Sequence, residues 1–172
     1  MNDQPYEAKV SDEYVEALRL FLKDDDGFEP VSRGLEERDG AAGGNIYAAL
    51  MAAALHVAAR RRFGSSYTNA DVIRFVALVR GTVQRSGADI DPRTAEAVLR
   101  TVLGGPAADM GGDVYAQAKA LPAMLLVTVR LLDLADSELS AFLAEARALA
   151  ASTLADADRT AGRDSARRDK VG

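Results

Sequence analysis

The chain contains no cysteine and no tryptophan, and histidine occurs once, at His56. Without cysteine there is no disulfide, no thiolate nucleophile and no cysteine-ligated metal. A single histidine excludes any histidine pair, so a nucleophile–base–acid triad would have to use His56. Neither G-x-S-x-G nor H-E-x-x-H occurs. Aromatic residues are also sparse, five Phe and five Tyr, so the core must be built from smaller apolar residues. Basic charge is in deficit: 21 Lys and Arg stand against 26 Asp and Glu, a formal charge of −5. That balance argues against broad electrostatic attraction to nucleic acid or anionic lipid.

Long hydrophobic runs are missing as well. The strongest, Leu121 to Leu134, is broken by Thr128, Arg130 and Asp133 and is short for a bilayer. The first ten residues are polar and acidic, with neither the basic region nor the apolar segment of a signal peptide. A soluble, cytoplasmic protein without a membrane segment is expected.

What is present is alanine, 33 of 172 residues, and arginine, 17 against 4 lysines, a bias of the kind a GC-rich genome produces. Apolar residues make up 48% of the chain, ordinary for a globular domain, and its length suffices for one sizeable core. Helical periodicity recurs along the chain, while the alternation of strands does not. Ser11 precedes a helix with Tyr14, Val15, Leu18, Phe21 and Leu22 on one side, ending at Asp24-Asp25-Asp26-Gly27. Residues 24–45, rich in Asp, Glu and Gly, read as a long connection with at most one turn near Gly34 to Arg38.

A second helix is expected from Asn45 to about Phe63, with Gly64 just past its end. It is apolar or small on nearly every side, the mark of a central helix. Thr68-Asn69-Ala70-Asp71 has capping-box spacing and opens a third helix striped with Val72, Phe75, Val76, Val79 and Val83. Asp91 caps a fourth, with Pro92 at its first position and Gly104-Gly105 as its stop. Asp113 caps a fifth, which Pro122 should end or kink, and whose continuation to Leu134 is the second central candidate.

The last helix begins at Ser137 and carries Leu139, Phe142, Leu143, Ala146, Leu149, Ala150 and Leu154 on one stripe. Residues 159–172 read as a solvated tail. The expected architecture is therefore all-α: a compact single-domain bundle of six to seven helices over residues 1–158, around two central apolar helices.

Among polar patterns, Glu13-x-x-Glu16 followed by Glu36-x-x-Asp39 resembles the E-x-x-E…E-x-x-D signature of all-α nucleotide pyrophosphohydrolases of the MazG type. The resemblance covers four residues and implies that Glu13, Glu16, Glu36 and Asp39 hold Mg²⁺ against a nucleotide's phosphates. Hard oxygen ligands three apart share a helical face and suit that ion. The first pair is placed on a helix, whereas Gly40, Gly43 and Gly44 interrupt the one that should carry the second.

Asp25-Asp26-x-x-Glu29 matches the acidic motif of isoprenoid synthases, but a second metal motif and a large helical barrel are both wanting; a helix-ending acidic loop is the simpler reading. The glycines at 104–112 lack the Gly-Lys-Ser/Thr of a phosphate loop, and Asp113 would repel a phosphate. Arg60-Arg61-Arg62 falls in a last helical turn, where cations complement the helix dipole. Asp89 and Asp91 would meet the phosphate backbone if helices three and four docked on DNA.

The function expected from these features is a non-enzymatic, cytoplasmic helical module that acts through protein–protein contacts in a regulatory or adaptor role, needs no cofactor, and binds neither nucleic acid nor membrane. The alternatives are the Mg²⁺-dependent pyrophosphohydrolase and a small-molecule sensor. Leu139, Phe142, Leu143 and Leu149 on the final helix are the candidate contact surface, to a protein partner or to a second copy of this chain. The partner reading expects an exposed apolar patch on the final or the third helix. The sensor reading expects a cavity between the second helix and the Pro122 helix, with Tyr47, Tyr115 or His56 at its rim.

Overall fold

The computed structural model describes residues 10–85, 87, 89–104 and 114–168, the last eight of these and residues 114 and 115 by their backbone alone. The described residues form six α-helices and no strand, so the protein is all-α. They are α1 (Asp12–Lys23), α2 (Phe28–Phe63), α3 (Asn69–Gln84), α4 (Pro92–Val102), α5 (Val114–Leu132) and α6 (Asp136–Arg168). The chain divides into two compact units, residues 1–53 with 143–172, and residues 54–142. Both α2 and α6 contribute to each.

Helix boundaries follow the punctuation of the sequence. The Thr68 hydroxyl accepts from the backbone N–H of Asp71 while Asp71 Oδ2 accepts from the Thr68 N–H at 2.9 Å, a complete capping box. Asp91 accepts from the Thr94 N–H at 2.7 Å with Pro92 at the first position, where a missing N–H costs nothing. Gly64, in the left-handed region at φ 66°, closes α2 with its N–H on the Arg60 carbonyl at 2.9 Å. Pro122 lies within α5 without ending it. The predicted cap Asp113 and the glycines at 105 and 111–112 lie outside the described residues.

Two expectations are corrected. Residues 28–45 are not a connection but the first part of α2. The turn before it is short: Asp24 adopts φ 56°, the Gly27 N–H donates to Asp25 Oδ1 at 2.8 Å, and Phe28 returns to pack on Phe21 at 5.4 Å between centroids. Leu35 is buried, so this stretch has the apolar anchor that composition alone concealed. Gly40 then breaks helical geometry (φ 53°, ψ −138°), and α2 is two helices joined at a kink. At the other end, α6 continues past residue 159 to Arg168, helped by i,i+3 pairing of Arg159 with Asp156.

In the unit of residues 54–142, α3, α4 and α5 pack on one another. Its core includes Leu55, Val72, Val76, Val79, Leu99, Met124, Leu125 and Phe142. Thr128 is its buried polar residue, and its hydroxyl is satisfied by the Met124 carbonyl at 2.6 Å. In the other unit, Tyr14, Ala17, Leu18 and Leu22 of α1 are buried with Leu35 and Leu50 of α2 and with Leu143, Ala146 and Ala150 of α6. Arg147 of α6 donates to Asp12 at the start of α1 at 2.6 Å. By length and composition α2 is the one described helix able to cross a membrane, and its residues Leu50 and Ala53–Leu55 are packed inside the protein.

Candidate functional site

The polar centre of the first unit lies where α1 meets the kinked start of α2. Tyr14 of α1 points its hydroxyl at Asp39, one residue before the kink, and donates to Oδ2 at 2.5 Å. Asp39 also accepts two bonds from Arg38, each at 2.8 Å, and Arg38 reaches Glu13 of α1 with its other guanidinium nitrogen. The bidentate guanidinium, and after it the Tyr14 hydroxyl, hold the Asp39 carboxyl at about 2, well below its usual value. Burial, and then the bond to Asp39, push Tyr14 up to about 12. Gly43 is obligatory here: a Cβ on it would stand 2.6 Å from both the Tyr14 hydroxyl and the Asp39 Cβ.

Of the four carboxylates that the pyrophosphohydrolase pattern requires, the structure brings Glu13 and Asp39 together, but onto one guanidinium. Glu16 turns to Arg19 at 3.2 Å on its own helix, and Glu36 faces a separate cleft. Among the described residues no three His, Cys, Asp or Glu side chains converge to hold a metal ion. The cation between the helices is Arg38, which the sequence pattern passed over.

That cleft, of about 590 Å³, opens between α1 and the two halves of α2 and is lined by Tyr14, Ala17, Ser32, Leu35, Glu36, Tyr47 and the glycines of the kink. Glu36 is the one charged residue in its lining. The Tyr47 hydroxyl is buried without a hydrogen-bond partner, and burial raises its pKa. A second cleft of about 310 Å³ shares Tyr14 and Gly43 as a wall and includes Ser11, whose hydroxyl is likewise buried and unpartnered. Tyr47 was expected beside a cavity facing the Pro122 helix; the cavity it lines is instead the one at the kink. His56, the other expected rim residue, donates from Nδ1 to the Val102 carbonyl oxygen at 2.6 Å and is half-buried. The Tyr115 side chain lies outside the described residues.

The second unit carries the exposed apolar surface. On α3, Val72, Phe75, Val76 and Val79 are buried, whereas Ile73 and Leu78 are 50% and 46% exposed. At 100° per residue Ile73 and Leu78 lie about 140° apart, and Ala70, Ala77 and Gly81 fall between them. Those three small residues are exposed too, so the two apolar side chains flank a small-residue trough, which the exposed Arg74 and Gln84 also enter. The Leu78 end continues into a cleft of about 310 Å³ lined by Phe63, Tyr67 and Phe75 with Arg62, Asp71 and Arg74. Phe63 anchors it with edge-on contacts to Phe75 at 5.4 Å and to Tyr67 at 6.2 Å.

The expected contact surface on the final helix is corrected by burial. Leu139 (6% exposed), Phe142 and Leu143 are buried in this chain, and Leu149 is half-buried. Phe142 also lies under the guanidinium of Arg61, 5.4 Å from its centroid. The stripe is long because it fills a core, and it leaves little apolar area for another molecule. The chain matches no family model, no curated protein and no solved structure.

Proposed function

We propose that this protein is a non-enzymatic, cytoplasmic interaction module of regulatory or adaptor type, and that it docks a helix of a protein partner on the outer face of α3. The observation that carries the reading is the exposure of Ile73 and Leu78 beside the small-residue trough. Folding alone gains nothing from leaving two large aliphatic side chains half in water, and each fully buried one is worth about 1.5–3 kcal/mol. Gly81 adds support. It sits exposed inside α3, where a Cβ would meet nothing within 4 Å, so the fold does not require it. Glycine in a helix interior costs about 1 kcal/mol relative to alanine, but it lets a second backbone approach closely.

The aromatic cleft beyond Leu78 receives an anchoring side chain in this reading; Arg74 at its rim is paired with Asp71 at 3.2 Å, and Arg62 leaves one net positive charge that favours an acidic group on the partner. Whether the partner is another protein or a second copy of this chain is decided by the experiment. The compact bundle around two central apolar helices is the scaffold this reading assumes; burial of Ala53–Leu55 and Val57–Ala59 in α2 and of Met124 and Leu125 in α5 supports it.

The test replaces Ile73 and Leu78 together with glutamate. Both sites are exposed, so the variant should fold with an unchanged circular dichroism spectrum and lose the partner that co-purifies with the wild type, or its own dimer. A folded variant that retains every association of the wild type contradicts the docking face.

A further inference from the structure

We propose that the cleft at the Gly40 kink is a binding site for a small protonated amine carried on an aromatic or similarly apolar body, with Glu36 as its counter-ion. The site is distinct from the α3 face and does not depend on that reading. Its volume, about 590 Å³, lies within the range of small-molecule pockets. The sign of the ligand follows from the lining. Glu36 is the charged group in it, and among the described residues no Lys, Arg or His pairs with that carboxylate.

The two arginines nearest in sequence are both committed elsewhere, Arg38 to Glu13 and Asp39, and Arg33 to Glu29 at 2.7 Å. An anion would therefore enter against an uncompensated negative charge. A cation would supply the partner that Glu36 lacks.

The polarity of the ligand follows from Tyr47. Its hydroxyl is buried and unpartnered at the cleft wall, so an occupant with a donor or acceptor satisfies it, and an ammonium N–H can donate to this oxygen and to Glu36 alike. The remaining wall is apolar or aromatic: Leu35, Ala17 and the two tyrosines, whose ring faces attract cations. Gly40 and Gly44 contribute bare backbone there, and a Cβ on either would meet no atom within 4 Å, so the free space reaches the chain itself.

Isothermal titration of the full-length protein near neutral pH uses three probes of one shape: 1-naphthylmethylamine, 1-naphthylmethanol and 1-naphthoate. The amine should bind saturably and about tenfold or more tighter than the alcohol, as one ion pair near a protein surface allows, with the carboxylate weakest. Glu36→Gln should remove most of that preference. Glu37→Gln, an equal charge change on the next residue, which is exposed as Glu36 is but lies outside the lining, should leave affinity within about twofold. Tyr47→Phe should weaken the amine about three- to tenfold, the worth of one hydrogen bond.

Circular dichroism confirms the fold of each variant. The proposal is overturned by alcohol and amine binding equally, by naphthoate binding best, by a folded Glu36→Gln protein that keeps the preference, or by no saturable amine binding up to about 1 mM.

Discussion

The hydroxyl of Tyr14 donates to Asp39 at 2.5 Å and joins α1 to the last residue before the kink of α2. It does so over the bare backbone of Gly43, at a spot where a single added carbon would be 2.6 Å away. One hydrogen bond, one kink and one glycine thus set the geometry of the clefts on either side.

Gly43→Ala should destabilise the protein by about 1–3 kcal/mol, the cost of overpacking a tight site, although alanine is the better helix former. Tyr14→Phe removes one of the two atoms that the new Cβ would strike. In thermal unfolding, the loss from Gly43→Ala should therefore be smaller in the Tyr14→Phe background. Additive losses would contradict the contact.

The same cluster fixes a pH dependence. Asp39 titrates near 2 when folded against an ordinary value of 3.8, so its contribution is fully present above about pH 4 and is lost as pH falls towards 2. Tyr14 is shifted the other way, from 10.0 to about 12, so its contribution is present below pH 10 and is lost as pH rises through 12. Asp71, lowered by bonds from the Thr68 hydroxyl and N–H, and Asp91, lowered by bonds from the Thr94 N–H and hydroxyl, share the acid side. Asp39→Asn should flatten, without abolishing, the fall of melting temperature between pH 4 and 2. An unchanged acid slope would show that the carboxylate is not paired in solution.

The orphaned hydroxyl of Tyr47 predicts a gain. A buried donor left unsatisfied costs about 1–3 kcal/mol, so Tyr47→Phe should unfold at a higher temperature than the wild type in the absence of ligand. A lower melting temperature would mean that the hydroxyl has a partner in the free protein.

Core and surface can be separated by two further variants. Phe142 is fully buried, and Phe142→Ala should cost about 3–5 kcal/mol. Gly81→Ala should stabilise the isolated protein by up to about 1 kcal/mol, since nothing crowds the new methyl group. If alanine at 81 destabilises instead, the glycine serves the fold and not a partner.

Much of the helical layout was legible in the sequence because caps are local. Thr68 with Asp71, Asp91 with Pro92, and Gly64 each act within four residues of themselves, so their chemistry can be read along the chain. The start of α2 was not legible. Its four glycines and Pro30 carry low helix propensity, and what holds it is tertiary: Phe28 against Phe21, and Leu35 in the core. The site at the kink was hidden for the same reason.

Carboxylate spacing singled out Glu13 and Asp39, and the fold does unite them, but sequence spacing cannot show that Arg38 lies between. Tyr14 and Gly43, 29 positions apart, carry no mutual signal at all. On the final helix the apolar stripe is plain in the sequence, yet a pattern does not say whether a core or a partner covers it. On the third helix, by contrast, Ile73 and Leu78 are left half-exposed by this chain.

The docking face on α3 is tested most directly by photocrosslinking from within the trough. A benzophenone amino acid at Ala77, exposed between Ile73 and Leu78, is compared with the same group at Ala148, an exposed alanine on α6. In cells that naturally make the protein, Ala77 should yield one dominant adduct, either to a defined partner or to a second copy, that Ala148 does not give. Equal, diffuse labelling from both positions would contradict the account.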